Sequence, residues 1–465
     1  MFGDGYLSQL SSKTYRNFLA LGIILFAMGC LWTALVPGET LAIGVRWLGL
    51  AVLAFVGIRN SSLTFWIFFS MLLGLAIGLE GPGLAAHLRV LSDIFLRLIK
   101  VIVAPLILGT LITGIAGHGD LRKLGRIGLK SLVYFEAVTT IALFIGVGAI
   151  NLTKAGVGLV LPAVASETAP QPTTSLKWGD FLLHIFPENI VQSVAENQIL
   201  QVAVFAVLFA VALTKVPEKT REPILNFAES LTQTMFRLTN IVMYFAPIGV
   251  GAAMAFTVGN LGINALLPLG KLVLTAYAAF LALVLFVFVP IIYFARLPLG
   301  RFLKSIAEPA TIAFATSASG AALPSAMENM EAFGVPRRIV GFVIPAGYSF
   351  NMDGGTVYLA VASVFVAQAA GIHMAWSAQL LMIFTLMLTS KGIAGVPRAT
   401  LVILLATAAS LNLPTEPIFI IMGVDAIIDM ARTAVNVIGN CLASAVIAQW
   451  EDELTDPTAP KAVQS

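Results

Sequence analysis

The chain has 465 residues, of which 58% are hydrophobic and only 11% are charged, and its formal net charge is +3. Apolar runs recur from Phe18 to Ile447, a pattern that a water-soluble domain of this length does not tolerate. The composition therefore predicts a protein of the lipid bilayer, and the small net charge gives no support to nucleic-acid binding. The two cysteines, Cys30 and Cys441, have neither metal-ligand nor disulfide-framework spacing, and we interpret them as packing residues.

The first apolar run, about residues 18 to 35, follows Lys13 and Arg16 and so resembles a signal peptide. The sequence after it is a poor signal-peptide cleavage site, and another apolar run follows at once. We therefore expect a retained helix.

Eight apolar runs are long enough to cross about 30 Å of hydrocarbon. They lie near residues 17–36, 41–58, 62–79, 92–117, 128–152, 199–214, 229–257 and 268–294.

In the last third of the chain the apolar stretches are broken by short runs of small residues with Gly and Pro. One such tip is Ser317-Ala-Ser-Gly-Ala-Ala-Leu-Pro324, and the other is Thr389-Ser-Lys-Gly-Ile-Ala-Gly-Val-Pro397. Each flanking piece is too short to cross a bilayer, and unpaired backbone at membrane depth is tolerated only beside a site or cavity. The pattern predicts two re-entrant hairpins and an internal repeat. A further helix is expected at about 415 to 449.

Basic residues cluster in three short loops, near residues 122–130, 215–221 and 296–304. The positive-inside rule places these loops in the cytoplasm. With the N-terminus inside and both hairpins turning back, the polar tail Glu451 to Ser465 is also cytoplasmic. The long polar connection of residues 154–196 then falls outside.

The last helix carries polar side chains spaced by three or four positions, which places them on one helical face. They are Asp425, Asp429, Arg432, Thr433, Asn436 and Asn440. One interpretation is a structural ion pair between Asp429 and Arg432. The other is a receptor for a zwitterion, in which a carboxylate binds an ammonium, a guanidinium binds a carboxylate and an amide binds a second carboxylate.

The segment Asn351-Met-Asp-Gly-Gly355 interrupts the preceding apolar span, with Gly347 one turn earlier. Glycines allow a helix to unwind and turn its carbonyls inward, and Asn351 and Asp353 carry the hard oxygens that a small cation prefers. A glycine kink with a capped Asp is the alternative.

Four motifs, in this order along the chain, closely resemble the dicarboxylate/amino acid:cation symporter family, the glutamate transporters. They are the tip Ser317 to Pro324, the Asn351-Met-Asp-Gly segment, Lys391-Gly-Ile-Ala-Gly-Val-Pro397 and Asp429-Met-Ala-Arg-Thr433. The resemblance covers about residues 62 to 450, and bacterial proton/glutamate symporters are the most similar in appearance. Residues 1–60 hold two extra hydrophobic helices outside the family core, for which membrane anchoring is the simplest role.

The resemblance implies an all-α membrane protein with eight core transmembrane helices and two re-entrant hairpins. It also implies a homotrimer in the cell inner membrane, in which a transport domain moves as an elevator against a scaffold. We divide the chain into the extra helices 1–60, scaffold and first transport helices 61–295, a binding core 296–450 and a tail 451–465. The expected activity is symport of L-glutamate or L-aspartate with protons or sodium, without enzymatic activity or a cofactor.

The same resemblance assigns the binding residues. Asp429 is expected to hold the substrate ammonium, Arg432 the side-chain carboxylate and Asn436 the main-chain carboxylate. The other residues expected at the substrate are Ser317, Ser319, Gly355, Val396 and Thr433, and those expected at the cation positions are Gly347, Ser349, Asn351, Asp353, Asn436 and Asn440.

The coupling ion depends on positions where this sequence departs from sodium-coupled members. Those members commonly carry Asp where Asn440 stands and Thr where Val138 and Gly355 stand, which favours protons. Glu136 lies inside a predicted span and is a candidate proton carrier. The alternative is a structural Glu satisfied by neighbouring hydroxyls.

Three competing functions remain to be distinguished. Within the same family, a symporter of C4-dicarboxylates or neutral amino acids is the nearest, and Arg432 and Asp429 are the residues that separate it from the leading hypothesis. An anion channel or receptor is a second class, and a measurement of concentrative uptake would discriminate it, because a channel or receptor cannot accumulate substrate against its gradient. An intramembrane enzyme is the third, and the four histidines lack metal-binding spacing.

Overall fold

The computed structural model describes residues 12–36, 39–59, 62–116, 121–159, 183, 186–196, 198–262, 266–390, 399–411 and 413–455. In this part of the chain every regular element is helical. The helices of the N-terminal half are α1 Ser12–Leu35, α2 Thr40–Arg59, α3 Leu63–Glu80, α4 Pro82–Ala116, α5 Leu121–Thr153, α6 Ile190–Ala195, α7 Ile199–Thr214, α8 Glu218–Met243 and α9 Ala246–Leu261. The remaining ones are α10 Leu266–Leu283, a π turn Val284–Phe288, α11 Val289–Phe294, α12 Leu299–Thr316, α13 Ser319–Phe333, α14 Arg337–Phe350, α15 Asp353–Ala369, α16 Trp376–Thr389, α17 Ala399–Ser410, α18 Glu416–Met422 and α19 Asp425–Trp450.

The described residues contain eight helices, or helices continued across a short break, that are long and apolar enough to cross a membrane. A ninth is counted when α8 and α9 are taken as one bent span. The all-α membrane class predicted from the sequence is therefore confirmed.

Two of the predicted spans are not single straight helices. The span expected at 229–257 bends by 52° between α8 and α9, where Pro247 opens α9 and cannot donate a backbone hydrogen bond to the helix before it. The helix expected at about 415 to 449 is likewise wrong in its start, because the chain breaks at Gly423 and Val424 and α19 begins at Asp425.

The first hairpin is confirmed as two antiparallel helices, α12 and α13. Their open ends are held by the rings of Phe302 and Phe333, whose centroids are 5.9 Å apart. Midway, Asn329 Nδ2 donates to Glu308 Oε2 at 3.2 Å. The tip is shorter than predicted, because α13 starts at Ser319 and continues through Pro324, and only Ser317 and Ala318 form the turn.

The second hairpin comprises α16 and α17, which have 14 and 12 residues. Residues 391–398 between them, including Lys391 and Val396, lie outside the described residues.

The described chain divides into two compact units. The first contains the described residues within 1–96, 242–267 and 419–426. Within it, α3 and α9 approach closely at Gly74 and Gly78, where any side chain would collide with the α9 backbone. The same unit contains an ion pair in which Arg46 Nη2 of α2 lies 2.7 Å from Glu80 Oε1 of α3.

The second unit contains residues 97–241, 268–418 and 427–465. Polar contacts tie its helices together near the end of α5, where Asn151 Nδ2 donates to Gln379 Oε1 at 2.7 Å. The proposed division of the chain at residues 61, 296 and 451 stays a prediction.

Candidate functional site

The interruption between α14 and α15 brings two amides and a carboxylate together in the interior. Asn351, Asp353 and Asn440 are all buried. Asn351 Nδ2 donates to Asp353 Oδ2 at 3.0 Å and to Asn440 Oδ1 at 3.1 Å. The break thus faces the middle of α19, an arrangement that the family resemblance implied.

Each of the two side-chain amides has one polar atom without a hydrogen-bond partner among the described residues. One is Asn351 Oδ1 and the other is Asn440 Nδ2. A buried amide oxygen is a ligand that a small cation accepts, so Asn351 fits a cation position. Asn440 instead offers a donor, because its oxygen is engaged by Asn351, and a donor repels a cation.

Two glycines allow α19 to approach the break between α14 and α15 closely. A side chain at Gly347 would collide with Asn440, and one at Gly439 would collide with Asp353. The carbonyl of Gly347 accepts the Asn351 backbone N–H at 2.7 Å, so it also ends α14. Ser349 is half-buried and lies two residues before the break. The roles of Gly347 and Ser349 as cation ligands stay predictions.

The charged pair on the polar face of α19 lies in the first half of that helix. Arg432 Nη2 lies 2.5 Å from Asp429 Oδ1, and their side chains are 4% and 5% exposed. Thr433 Oγ1 donates to the same carboxylate oxygen at 3.2 Å. The ion pair that the sequence offered as one interpretation is therefore formed.

The guanidinium of Arg432 also lies over an aromatic ring that the sequence analysis missed. Its Cζ is 4.9 Å from the centroid of Tyr358 on α15, a cation–π contact. Gly354 allows α15 to approach this point, because a side chain there would collide with the Arg432 carbonyl. Gly354 was visible in the sequence motif, whereas no pattern identified Tyr358.

Asn436 joins α19 to the start of α15. Its Oδ1 accepts the backbone N–H of Gly355 at 3.1 Å, one of the amides that the first turn of a helix leaves without an internal partner. The structure thus brings together two residues assigned to the substrate. Asp425 is the first residue of α19 and is fully buried, where a helix N-terminus favours a negative charge.

Three of the residues expected at the substrate belong to the tips of the two hairpins. Ser317 lies in the turn between α12 and α13 with a positive φ of 51°, Ser319 begins α13, and both are half-buried. Val396 lies outside the described residues. That Ser317, Ser319 and Val396 close the substrate pocket remains a prediction.

Glu136 is half-buried on α5, while Val138 is buried. The hydroxyl of Thr139 donates to the backbone carbonyl of Phe135 at 2.7 Å. The proton-carrier role of Glu136 stays a prediction.

Membrane-length helices, a helix broken beside a buried carboxylate, a helical hairpin and a buried ion pair together define a secondary transporter. The family is shown by comparison with known proteins: the chain belongs to the sodium:dicarboxylate symporter family, whose model matches residues 63–450. This range agrees with the 62 to 450 expected from the motifs. The protein is therefore a membrane symporter and not an enzyme.

Three curated relatives illustrate the similarity. The chain is 43% identical to a proton/glutamate-aspartate symporter of Bacillus subtilis (strain 168), over 84% of this chain and 95% of the relative. It is 40% identical to the Escherichia coli (strain K12) proton/glutamate-aspartate symporter, over 84% and 93% of the two chains. It is also 40% identical to a C4-dicarboxylate transport protein of Anaeromyxobacter sp. (strain K), over 86% and 92%.

Proposed function

We propose that this protein is a secondary active symporter that imports L-glutamate and L-aspartate. The observation that carries the proposal is the buried pair of Asp429 and Arg432, with nitrogen and oxygen 2.5 Å apart. Leaving either charge unpaired in the interior costs several kcal/mol, so the two side chains neutralise each other when no substrate is present.

An acidic amino acid offers each member of the pair a new partner. Its ammonium can replace Arg432 beside Asp429, and its side-chain carboxylate can replace Asp429 beside Arg432. The main-chain carboxylate is then left for the amide of Asn436. Binding exchanges one ion pair for two, without exposing a bare charge.

The second candidate is a C4-dicarboxylate transporter, which the similarity to the Anaeromyxobacter protein favours. A dicarboxylate pairs with Arg432 but supplies no ammonium for Asp429. The displaced carboxylate would face a second anion in a buried site, which is unfavourable. A neutral amino acid has the opposite defect, because it leaves Arg432 unpaired.

Protons are the coupling ion that this sequence favours over sodium. Asn440 is neutral and directs a donor, Nδ2, away from its contact with Asn351. An Asp at this position would add a negative charge to the cation site. Two of the relatives are named as proton/glutamate-aspartate symporters.

We further propose a multi-pass protein of the cell inner membrane, with both termini in the cytoplasm and an elevator movement of the binding core. These features follow from the family resemblance and from the basic loops. A homotrimer is supported by α8, whose polar side chains are exposed in the single chain and need cover within a bilayer. They are Asn226, Glu229, Ser230, Gln233, Thr234, Arg237 and Asn240.

The test is uptake of radiolabelled L-aspartate into proteoliposomes by the wild type and by Arg432→Cys. We expect the variant to lose acidic substrate uptake by about 30-fold or more, because removing one partner of a buried charge pair costs about 2–5 kcal/mol. Uptake of L-serine should appear, because Asp429 still binds an ammonium.

The matched control is Arg337→Cys, which removes an arginine whose side chain is 91% exposed. Its uptake should equal that of the wild type. Unchanged aspartate uptake by a well-folded Arg432→Cys would reject the proposed pocket.

A further inference from the structure

The second unit contains a cavity of about 600 Å³ between α4, α5, α8 and α14. This volume is within the range of about 300–1,000 Å³ that small-molecule sites occupy. The cavity is separate from the charged pair on α19, and no residue of α19 lines it.

The walls of the cavity are apolar and carry no charged side chain. The hydroxyls of Thr110, Thr113, Ser131 and Thr232 line it, but each donates its hydrogen at 2.7–2.8 Å to the carbonyl four residues earlier in its own helix. The cavity therefore offers these groups as weak acceptors rather than as donors. Ser349 adds one further hydroxyl, so a carboxylate or phosphate finds no charged partner inside, whereas a hydrocarbon chain can pack against the apolar walls.

One side of the cavity is lined by exposed apolar side chains. Leu129 and Leu132 line it from α5, and they are 65% and 51% exposed. Both belong to a helix that is long and apolar enough to cross a membrane, and we infer that hydrocarbon lies beyond them. A cavity next to lipid tails is filled by a tail without any cost of transfer from water, and an empty apolar void loses dispersion contacts along its lining.

We propose that this cavity is a binding site for a phospholipid acyl chain. The chain enters beside Leu129 and Leu132 and lies against α14, where Ser349 and Phe350 line the cavity immediately before the break at Asn351. The headgroup remains outside, because the walls hold no charge to receive it.

Gly341 provides a direct test. It lines the cavity from α14, and an added Cβ would meet no atom within 4 Å. Gly341→Leu therefore fills the cavity without collision at the backbone. Gly148 on α5 has the same free space but does not line the cavity, so Gly148→Leu is the matched control.

The full-length protein is reconstituted in phosphatidylethanolamine/phosphatidylglycerol vesicles with a small fraction of phosphatidylcholine that bears a terminal diazirine on one acyl chain. After irradiation, mass spectrometry locates the labelled residues. We expect label on residues 110–115 and 341–350 in the wild type and in Gly148→Leu, and a loss of about fivefold or more in Gly341→Leu. Ala346 also lines the cavity, so Ala346→Leu should lose label as well. This variant replaces Gly341→Leu in the test if Gly341→Leu folds poorly.

Label confined to outward-facing residues such as Phe144 and Leu152, or equal label in wild type and filled variants, would overturn the proposal. So would labelling by a free diazirine fatty acid when the phospholipid gives none, because the occupant would then be a free amphiphile. The readout is independent of transport, so it does not depend on the proposed function.

Discussion

The two charged side chains of α19 are the centre of the functional argument at the scale of single residues. Asp429 and Arg432 form an ion pair, Thr433 donates to the Asp429 carboxylate and Tyr358 lies beneath the guanidinium. All four are buried. The interior thus satisfies both charges, and the substrate proposed above is one whose own charges can replace both partners.

Replacing Asp429 by Asn tests the ammonium half of this pattern. We expect uptake of L-aspartate to fall by about 30-fold or more, since a buried charge loses its partner at a cost of about 2–5 kcal/mol. Inhibition of the residual uptake by succinate should strengthen, because the repulsive carboxylate is gone. Competition assays in proteoliposomes measure both effects, and an unchanged preference for aspartate over succinate would contradict the assignment.

Replacing Asn440 by Asp tests the choice of coupling ion. The new carboxylate can accept from Asn351 as Asn440 does and brings a negative charge close to Asp353. Because the added charge favours cation binding, we expect sodium to stimulate uptake by the variant, whereas uptake by the wild type should show no response to sodium. Asn260→Asp, at an exposed residue of α9, is the control that should likewise show no response.

At the scale of elements, the extra N-terminal helices are part of the first unit and not a loose anchor. Arg46 of α2 is 1% exposed and pairs with Glu80 at the end of α3. It also donates to Thr33 of α1 at 3.0 Å, and Trp47 Nε1 donates to Glu80 Oε2 at 2.7 Å. One carboxylate and one guanidinium therefore join three helices.

Glu80→Gln removes the charge that Arg46 needs. We expect the free energy of unfolding to drop by about 3–5 kcal/mol, because an arginine remains buried without its anion. The double variant Arg46→Met with Glu80→Met should recover most of this loss. Thermal melting in detergent measures the series, with Glu39→Gln at an exposed position as control, and equal melting of the single variants and wild type would show that the pair contributes nothing.

The elements that sequence reasoning predicted are those with local signals. The break at Asn351, the turn at Ser317 and the polar face of α19 are marked by glycines or polar residues within apolar runs. Pro247 was a similar signal for the bend after α8, and the sequence analysis did not use it.

Contacts between distant residues could not be predicted in this way. Tyr358 and Arg432 are far apart in the chain, as are Arg46 and Glu80, and each lies on a helix whose rotation decides its partner. A single sequence reports that a charge is buried, but not which residue satisfies it.

At the scale of the whole molecule, residues 451–455 after α19 form ion pairs and a hydrogen bond with other helices of the second unit. Glu451 Oε2 lies 2.5 Å from Arg126 Nη2, and its Oε1 lies 2.7 Å from Lys130 Nζ. Further on, Glu453 pairs with Arg338, and the Thr455 N–H donates to the Gly334 carbonyl at 3.0 Å. The first residues of the polar tail therefore link α5 and α14 to the end of α19.

The hydrogen bonds from Arg126 and Lys130 lower the pKa of Glu451 from 4.5 to about 2. A carboxyl whose pKa is lower in the folded state stabilises the fold above its unfolded pKa, and this contribution is lost as the pH falls through the folded pKa. We expect Glu451→Gln to lower the melting temperature by a constant amount from pH 7 to about 4.5, with the difference from wild type shrinking below that. A difference that already vanishes between pH 7 and 5 would contradict the ion pairs, and Glu196→Gln, at an exposed residue, is the control.

The central claim is that this protein couples the entry of an acidic amino acid to an ion gradient. The most direct measurement is accumulation of radiolabelled L-aspartate in proteoliposomes under an inward proton gradient without sodium, and under an inward sodium gradient at equal pH. The account predicts internal aspartate above the external concentration with the proton gradient alone, and collapse of this excess on addition of a protonophore. Internal aspartate that never exceeds the external concentration under either gradient would contradict symport.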